Sequence, residues 1–410
     1  MPDGDLLVRG VGELVTNAPG APDLVGAVID AAVLVRGGVV VHAGPARELP
    51  DLAEDVPELD VDGAAVLPGF VDPHTHLVFA GDRADEFARR LRGERYEDVL
   101  ASGGGINSTV RATRDATADE LAAGLRARAR RMLGYGTTTI EVKSGYGLDV
   151  DTERRCLEVV RAVGAEEAAD LVPTWLGAHL VPPEHADDRA VFLDEVLPAS
   201  LAACRDLAVW ADVFCDEGAF TVEESRTVLT RARAAGLKLR IHADELAHSG
   251  GARLAAELGC RSADHLAHVD EADARALAAA GTVATILPAT TFSLRTHHYA
   301  PAAMLWEEGV TVALATDCNP GTSYTESMSF VVALACVEAG FTPEQAVWAA
   351  TRGGALALDL DDRGRLVPGA VGDLIVLDAP SFRHVPYRPG TNLVTTVVKR
   401  GAVVAGGAVG

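Results

Sequence analysis

Two histidines one residue apart, His74 and His76, end an apolar run that opens Phe70-Val71-Asp72. Strand side chains repeat with period two, so both imidazoles face the same side. Two neutral imidazoles on one side are a ready pair of metal ligands, although an isolated pair reads equally well as two partly buried polar residues. The pair has company here: His242 closes a later apolar run at 237–243 and Asp317 closes another at 310–317. Alone, Asp317 in Asp317-Cys318-Asn319-Pro320 reads as a turn former; with three histidines at the same rim it reads as a fourth ligand. Glu245, three residues after His242, is a solvated loop carboxylate on its own, and a general base if a metal-activated water lies beside it. His265, ending the run 262–266, is either a core histidine or, at that rim, a group that stabilises charge on a carbonyl oxygen. The chemistry these types can do together is metal-assisted hydrolysis.

Such a rim needs several strands ending at one level. From about residue 70 the chain alternates short β-branched runs with Ala/Leu/Arg-rich segments, the sign of repeated strand–helix units. Three helix starts are marked by capping boxes, Thr117 with Glu120, Thr221 with Glu224, and Thr342 with Gln345, the last with Pro343 at the first helical position. Candidate strands fall at 70–76, 137–143, 171–179, 209–216, 237–243, 262–266, 282–287 and 310–317. Eight parallel strands with intervening helices close into a TIM-like (β/α)8 barrel, whose catalytic residues sit at the C-terminal strand ends. An open doubly wound sheet is the alternative, but neither GxGxxG nor GxxxxGK[ST] is present. Residues 1–65 and 365–410 carry short valine-rich alternating runs instead, and are expected to combine into one small β-sandwich domain beside a barrel of residues 66–364.

Composition removes several classes of function. With 36 Lys plus Arg against 59 Asp plus Glu, the formal charge is −23, which disfavours nucleic acid or another polyanion as partner. Hydrophobic residues at 48% and charged ones at 23% suit a globular chain. Six cysteines without a CxxC pair fit a reducing compartment. No basic start precedes an apolar run, and no stretch reaches the ~20 residues that span a bilayer, so a cytoplasmic protein is expected. Gly103-Gly104-Gly105 lacks the Lys-Ser/Thr of a phosphate loop and reads as a flexible active-site lid.

Pro68-Gly69-Phe70-Val71-Asp72-Pro73-His74-Thr75-His76 resembles the first-strand signature of the amidohydrolase superfamily, and Gly372-Asp373-Leu374-Ile375-Val376-Leu377-Asp378 its returning C-terminal β-domain. Within that superfamily the chain resembles the imidazolonepropionase family over essentially its full length. The match is carried by Phe79-Ala80-Gly81-Asp82-Arg83, Gly103-Gly104-Gly105-Ile106, Lys143-Ser144-Gly145-Tyr146-Gly147-Leu148, His242-Ala243-Asp244-Glu245, Ala263-Asp264-His265-Leu266 and Thr316-Asp317-Cys318-Asn319-Pro320-Gly321-Thr322.

The resemblance implies metal-dependent opening of the cyclic amide 4-imidazolone-5-propanoate to N-formimino-L-glutamate, a step of histidine degradation, by a homodimer. It assigns His74, His76, His242 and Asp317 to one metal ion, zinc or iron. The superfamily's two-metal members use a carboxylated lysine ending strand four. Here that strand ends Phe214-Cys215-Asp216-Glu217 and Lys143 ends strand two, which implies a single metal. Arg83 is placed on the propionate, where a guanidinium grips a carboxylate bidentately; in isolation it reads equally as a salt-bridge residue. Tyr96, Tyr146, His179, Glu245, Asn319, Gly321 and Thr322 match positions that contact substrate or product. Glu245, His265 and Asp317 are the expected catalytic groups, with Glu245 relaying a proton, His265 stabilising the carbonyl oxygen and His179 orienting the ring. A nucleobase deaminase is the rival enzyme, but its substrate carries no propionate for Arg83; a non-catalytic scaffold would have lost the ligand set.

Overall fold

The computed structural model describes residues 4–51, 56–93 and 104–406. Two sheets organise it. The first takes β1 (Leu6–Val15), β2 (Ala27–Arg36), β3 (Val39–Pro45), β4 (Glu58–Asp60) and β5 (Ala65–Pro68) from the N-terminal part. The second is the run β6 (Phe70–Asp72), β7 (Thr137–Lys143), β8 (Asp170–Ala178), β9 (Trp210–Cys215), β10 (Lys238–Ala243), β11 (Ser262–His265), β12 (Val283–Ile286) and β13 (Val312–Leu314). The chain then returns to the first sheet with β14 (Leu374–Leu377), β15 (Val394–Lys399) and β16 (Ala402–Gly406).

The terminal strands form one continuous sheet ordered β16-β15-β14-β5-β1-β2-β3, with β4 also on β1. It is mostly antiparallel, and Leu6, Val8, Val11, Leu14, Val33, Val376 and Val398 fill its core. Antiparallel pairing of β5 with β14 joins the two ends of the chain. β5 therefore belongs to this sheet, and Gly69 separates it from β6.

The eight central strands pair in sequence order, every pair parallel. The ring closes between β6 and β13 just beyond their regular ends. A parallel bridge joins Thr75 to Cys318, with Asp317 N–H donating to His74 O at 3.1 Å and His76 N–H to Cys318 O at 3.0 Å. β6 stops at Asp72 and β13 at Leu314, short of the expected 76 and 317. The buried Asp72 carboxylate is the reason: it takes the amides of His74 at 3.3 Å and Thr316 at 3.2 Å, together with the Thr316 hydroxyl at 2.6 Å, in place of ladder bonds. The three expected capping boxes all form both reciprocal bonds. A fourth, Asp270 with Asp273, was not expected, because aspartate replaces the usual Glu or Gln at the third position.

Candidate metal centre and substrate cavity

Thr75 fixes the directions of its two neighbours. Its hydroxyl donates to Glu141 O at 2.5 Å and its amide to the Glu141 carboxylate at 3.1 Å, which turns His74 and His76 the other way, into the barrel mouth. There the imidazoles meet His242 from the end of β10, with His74 and His242 ring centroids 4.4 Å apart. Asp317 Oδ1 lies 3.5 Å from His74 Nε2 and 3.4 Å from His76 Nε2. Its other oxygen accepts the Thr290 hydroxyl at 2.6 Å.

This set fits a metal ion. One ligand atom from each of His74, His76 and His242 lies within 4.8 Å of the others, as does one from each of His74, His265 and Asp317. His74 Nε2 is buried without a hydrogen-bond partner among the described residues, the state of a ligand nitrogen kept for a cation. Burial first, then Lys143 and the neighbouring imidazoles, holds His74 well below histidine's usual value. Burial and His242 do the same to His76. Both rings are therefore neutral, the form that binds metal.

Carboxylates behind the rings choose the nitrogen each presents. Asp264 Oδ2 accepts from His74 Nδ1 at 2.7 Å and Asp212 Oδ1 from His242 Nδ1 at 3.0 Å, so both rings turn Nε2 outward. These carboxylates belong to a fully buried charge cluster inside the barrel. Lys143 Nζ lies 2.8 Å from both Glu141 and Asp212, and Arg240 Nη2 3.0 Å from Asp264. Burial alone would raise the Asp212 carboxyl, but His242 and Lys143 hold it well below the usual range. Sequence reasoning quoted Lys143 and Asp264 within family motifs, used Lys143 to exclude a second metal, and gave no role to Glu141, Asp212, Arg240 or Asp264. Their signal was available: charged residues inside strands whose other members are apolar or small.

Above this set opens a cavity of about 510 Å3. Of the described metal, catalytic and substrate candidates, only His74 and Gly321 are absent from its wall, as are Gly104 and Gly105 of the expected lid. Tyr96 and Gly103 lie outside the described residues. Asp216 at the end of β9 accepts the amides of Glu245 and Leu246 at 2.7 and 2.8 Å and thereby places Glu245. Burial first, then the Asp317 and Asp216 carboxylates, pushes Glu245 well above the usual carboxylate range. His265 Nδ1 is 3.6 Å from Glu245 Oε1, and its ring stacks on His242 at 5.2 Å. Burial lowers His265 to about 3. His179 Nδ1 donates to Gly145 O at 2.8 Å, which leaves Nε2 as acceptor on the cavity wall.

Arg83 reaches the cavity from the start of helix Ala84–Leu91 while its guanidinium is gripped by Glu86, at 2.9 Å through Nε and 2.5 Å through Nη2. Arg83 is therefore a cavity-lining residue and an ion-paired one at once. Glu86 also accepts Gly105 N–H at 2.9 Å and was missed from sequence. A Cβ at Gly321 would come within 2.2 Å of Arg83 Nη1, so glycine there is a packing requirement of the arginine. Asn319 spends its amide on its own turn: Oδ1 accepts Gly321 and Thr322 N–H at 2.8 Å each, and Nδ2 donates to Asp317 O at 2.7 Å. It shapes the wall beside Asp317.

The amidohydrolase family profile matches residues 82–405. An imidazolonepropionase of Salinispora arenicola is 51% identical over 97% of this chain and 98% of its own. One of Streptomyces coelicolor is 50% identical over 96% and 98%, and one of the archaeon Haloarcula marismortui 47% identical over 98% and 96%. Among solved structures, a triazine hydrolase from Arthrobacter aurescens superposes with TM-score 0.75 at 16% identity, over 98% of this chain and 95% of that one. An adenosine deaminase from Xanthomonas campestris with bound zinc gives 0.73 at 20% identity, over 98% and 93%. These last two likenesses speak for the fold alone.

Proposed function

The chain belongs to the amidohydrolase family and within it to the imidazolonepropionases, and from that premise we propose how its own residues open the ring amide of 4-imidazolone-5-propanoate to give N-formimino-L-glutamate. The observation that carries the reading is the convergence of His74, His76, His242 and Asp317 at the floor of a cavity whose wall includes Arg83.

These four side chains would hold one metal ion, zinc or iron, since three nitrogens and one oxygen suit either. When bound, such an ion supplies Lewis-acid chemistry, polarising a carbonyl and drawing the pKa of water toward about 7. Arg83, steadied by Glu86, takes the propionate carboxylate. His179 presents Nε2 to the ring, and Tyr146, whose phenol burial raises and so keeps protonated, donates beside it. Glu245, a carboxyl that readily holds a proton in this setting, accepts one from the attacking water and passes it to the leaving ring nitrogen. With Nδ1 toward Glu245 and Nε2 unpartnered among the described residues, His265 donates from Nε2 to the carbonyl oxygen as charge develops there. Thr290 fixes one oxygen of Asp317, which leaves Oδ1, beside the His74 and His76 Nε2 atoms, to orient the water.

The protein is further taken as a cytoplasmic homodimer of histidine degradation; its six unpaired cysteines support a reducing compartment. Among the described residues, no helix is long and apolar enough to cross a membrane. Residues 66–364 are taken as the catalytic barrel and 1–65 with 365–410 as one β-domain, to which the pairing of Val66, Leu67 and Pro68 with β14 adds the end of β5. The deciding experiment mixes metal-loaded protein with imidazolone propionate and follows loss of its ultraviolet chromophore against a chelated control. Absence of metal-dependent loss refutes the reading.

A further inference from the structure

Glu153 sits in the first turn of helix Val150–Glu166, fully buried, with no ion-pair partner among the described residues. A carboxylate so placed is costly unless hydrogen bonds replace its water. Here the replacement comes from one loop. Oε1 accepts the amides of Gly145 at 3.1 Å, Gly147 at 2.7 Å and Leu148 at 3.0 Å, and Oε2 accepts Gly145 again at 3.0 Å. The loop it grips is held in uncommon backbone conformations, with φ of 102° at Gly145 and 54° at Leu148, the latter unfavourable for a residue with a side chain. A Cβ on Gly147 would lie 2.9 Å from Glu153 Oε1, so the fit is close from the loop side too.

Two substrate-facing groups depend on that loop. Tyr146 is flanked by the two gripped glycines, and the Gly145 carbonyl receives His179 Nδ1–H at 2.8 Å, which fixes the tautomer and direction of that ring. The two rings lie 5.4 Å apart on the cavity wall. We propose that Glu153 is a positioning residue for Tyr146 and His179 and sets substrate affinity from beneath the wall, without touching substrate. This rests on the reading of the cavity given above.

The test measures KM and kcat separately in the metal-loaded full chain, beside the melting temperature. Glu153→Gln can keep its carbonyl at Oε1 and so retain Gly147 and Leu148, while its NH2 replaces the Oε2 acceptor of Gly145 and leaves that amide only its contact to Oε1. Glu153→Met keeps the volume and removes every acceptor. KM is expected to rise about threefold in the first and about tenfold or more in the second, with kcat within about threefold of the parent. Because part of the effect runs through Gly145 and His179, Glu153→Gln combined with His179→Gln should raise KM by less than the product of the two single effects. Unchanged KM in Glu153→Gln, or effects of the two substitutions that multiply, would overturn the proposal, and Glu153→Gln decides it if the Met variant does not fold. If Tyr146→Phe and His179→Gln themselves leave KM unchanged, the reading of the cavity fails instead.

Discussion

Replacing either carboxylate behind the metal-facing rings by its amide removes one negative charge and almost no volume, yet the two substitutions should differ. Asp212 Oδ1 takes both the amide and Nδ1 of His242, at 3.1 and 3.0 Å, while Oδ2 lies 2.8 Å from Lys143 Nζ in a close ion pair that is poorly directed for a hydrogen bond. In Asp212→Asn, one orientation sets the NH2 against the lysine ammonium and the other sets it against two His242 donors. Asp264 is more forgiving. Its Oδ2 takes His74 Nδ1 and Arg240, and its other oxygen meets, among the described residues, only the Ser262 hydroxyl, which also bonds Thr285 and can reverse its proton. Loss of a carboxylate behind a ligand histidine weakens metal binding about 10–100-fold, and a donor left facing a donor adds about 1–3 kcal/mol. We expect Asp264→Asn near the tenfold end and Asp212→Asn near or beyond a hundredfold. Competition with a chromophoric chelator, with metal analysis of dialysed protein, measures both. Equal losses, or a greater loss in Asp264→Asn, would refute the donor-clash argument, because the charge change is the same.

Arg83→Ala should raise KM by about 10–100-fold with a smaller effect on kcat, since a charge-assisted grip worth about 1.5–3 kcal/mol is shared by substrate and transition state. Glu245→Gln should do the opposite, lowering kcat with KM little changed, because the amide keeps the shape but cannot take a proton. Treatment with a strong chelator should abolish turnover, and zinc or iron should restore it; activity that survives complete metal removal would contradict the metal assignment. Thr221→Ala removes a capping box and should lower stability by about 1 kcal/mol in denaturant unfolding. In the same cap, the Arg189 guanidinium and the Thr221 bonds hold Glu224 down to about 2. The folded value is below the unfolded one, so this stabilisation is complete above about pH 4.3 and lost as pH falls toward 2. Glu224→Gln should flatten stability against pH across that window.

The candidate ligand residues were legible because period-two spacing and strand-end position leave a trace in the sequence; His74, His76 and His242 come together with Asp317 beside them. The alternation of apolar runs with capping signals likewise located all eight barrel strands to within a few residues. What escaped were contacts between distant segments. Nothing local separates Glu86 or Glu153 from a solvated helix carboxylate until the helix is laid against its loop. Asp72 was visible in the signature, but its competition with the ladder depends on Thr316, at the far end of the ring. Asn319 was expected on the substrate, and its saturation by its own turn needed the turn to be seen.

The seam where β6 and β13 meet is bonded through His74, His76, Asp317 and Cys318. The candidate ligands come from the ends of β6, β10 and β13, so the set cannot assemble until the first and last staves of the ring are brought together. A chain whose ring has not closed therefore has no assembled centre, whatever the state of its other strands. An ion held across that seam would act as a clasp, making the order of the barrel and the readiness of the enzyme a single event.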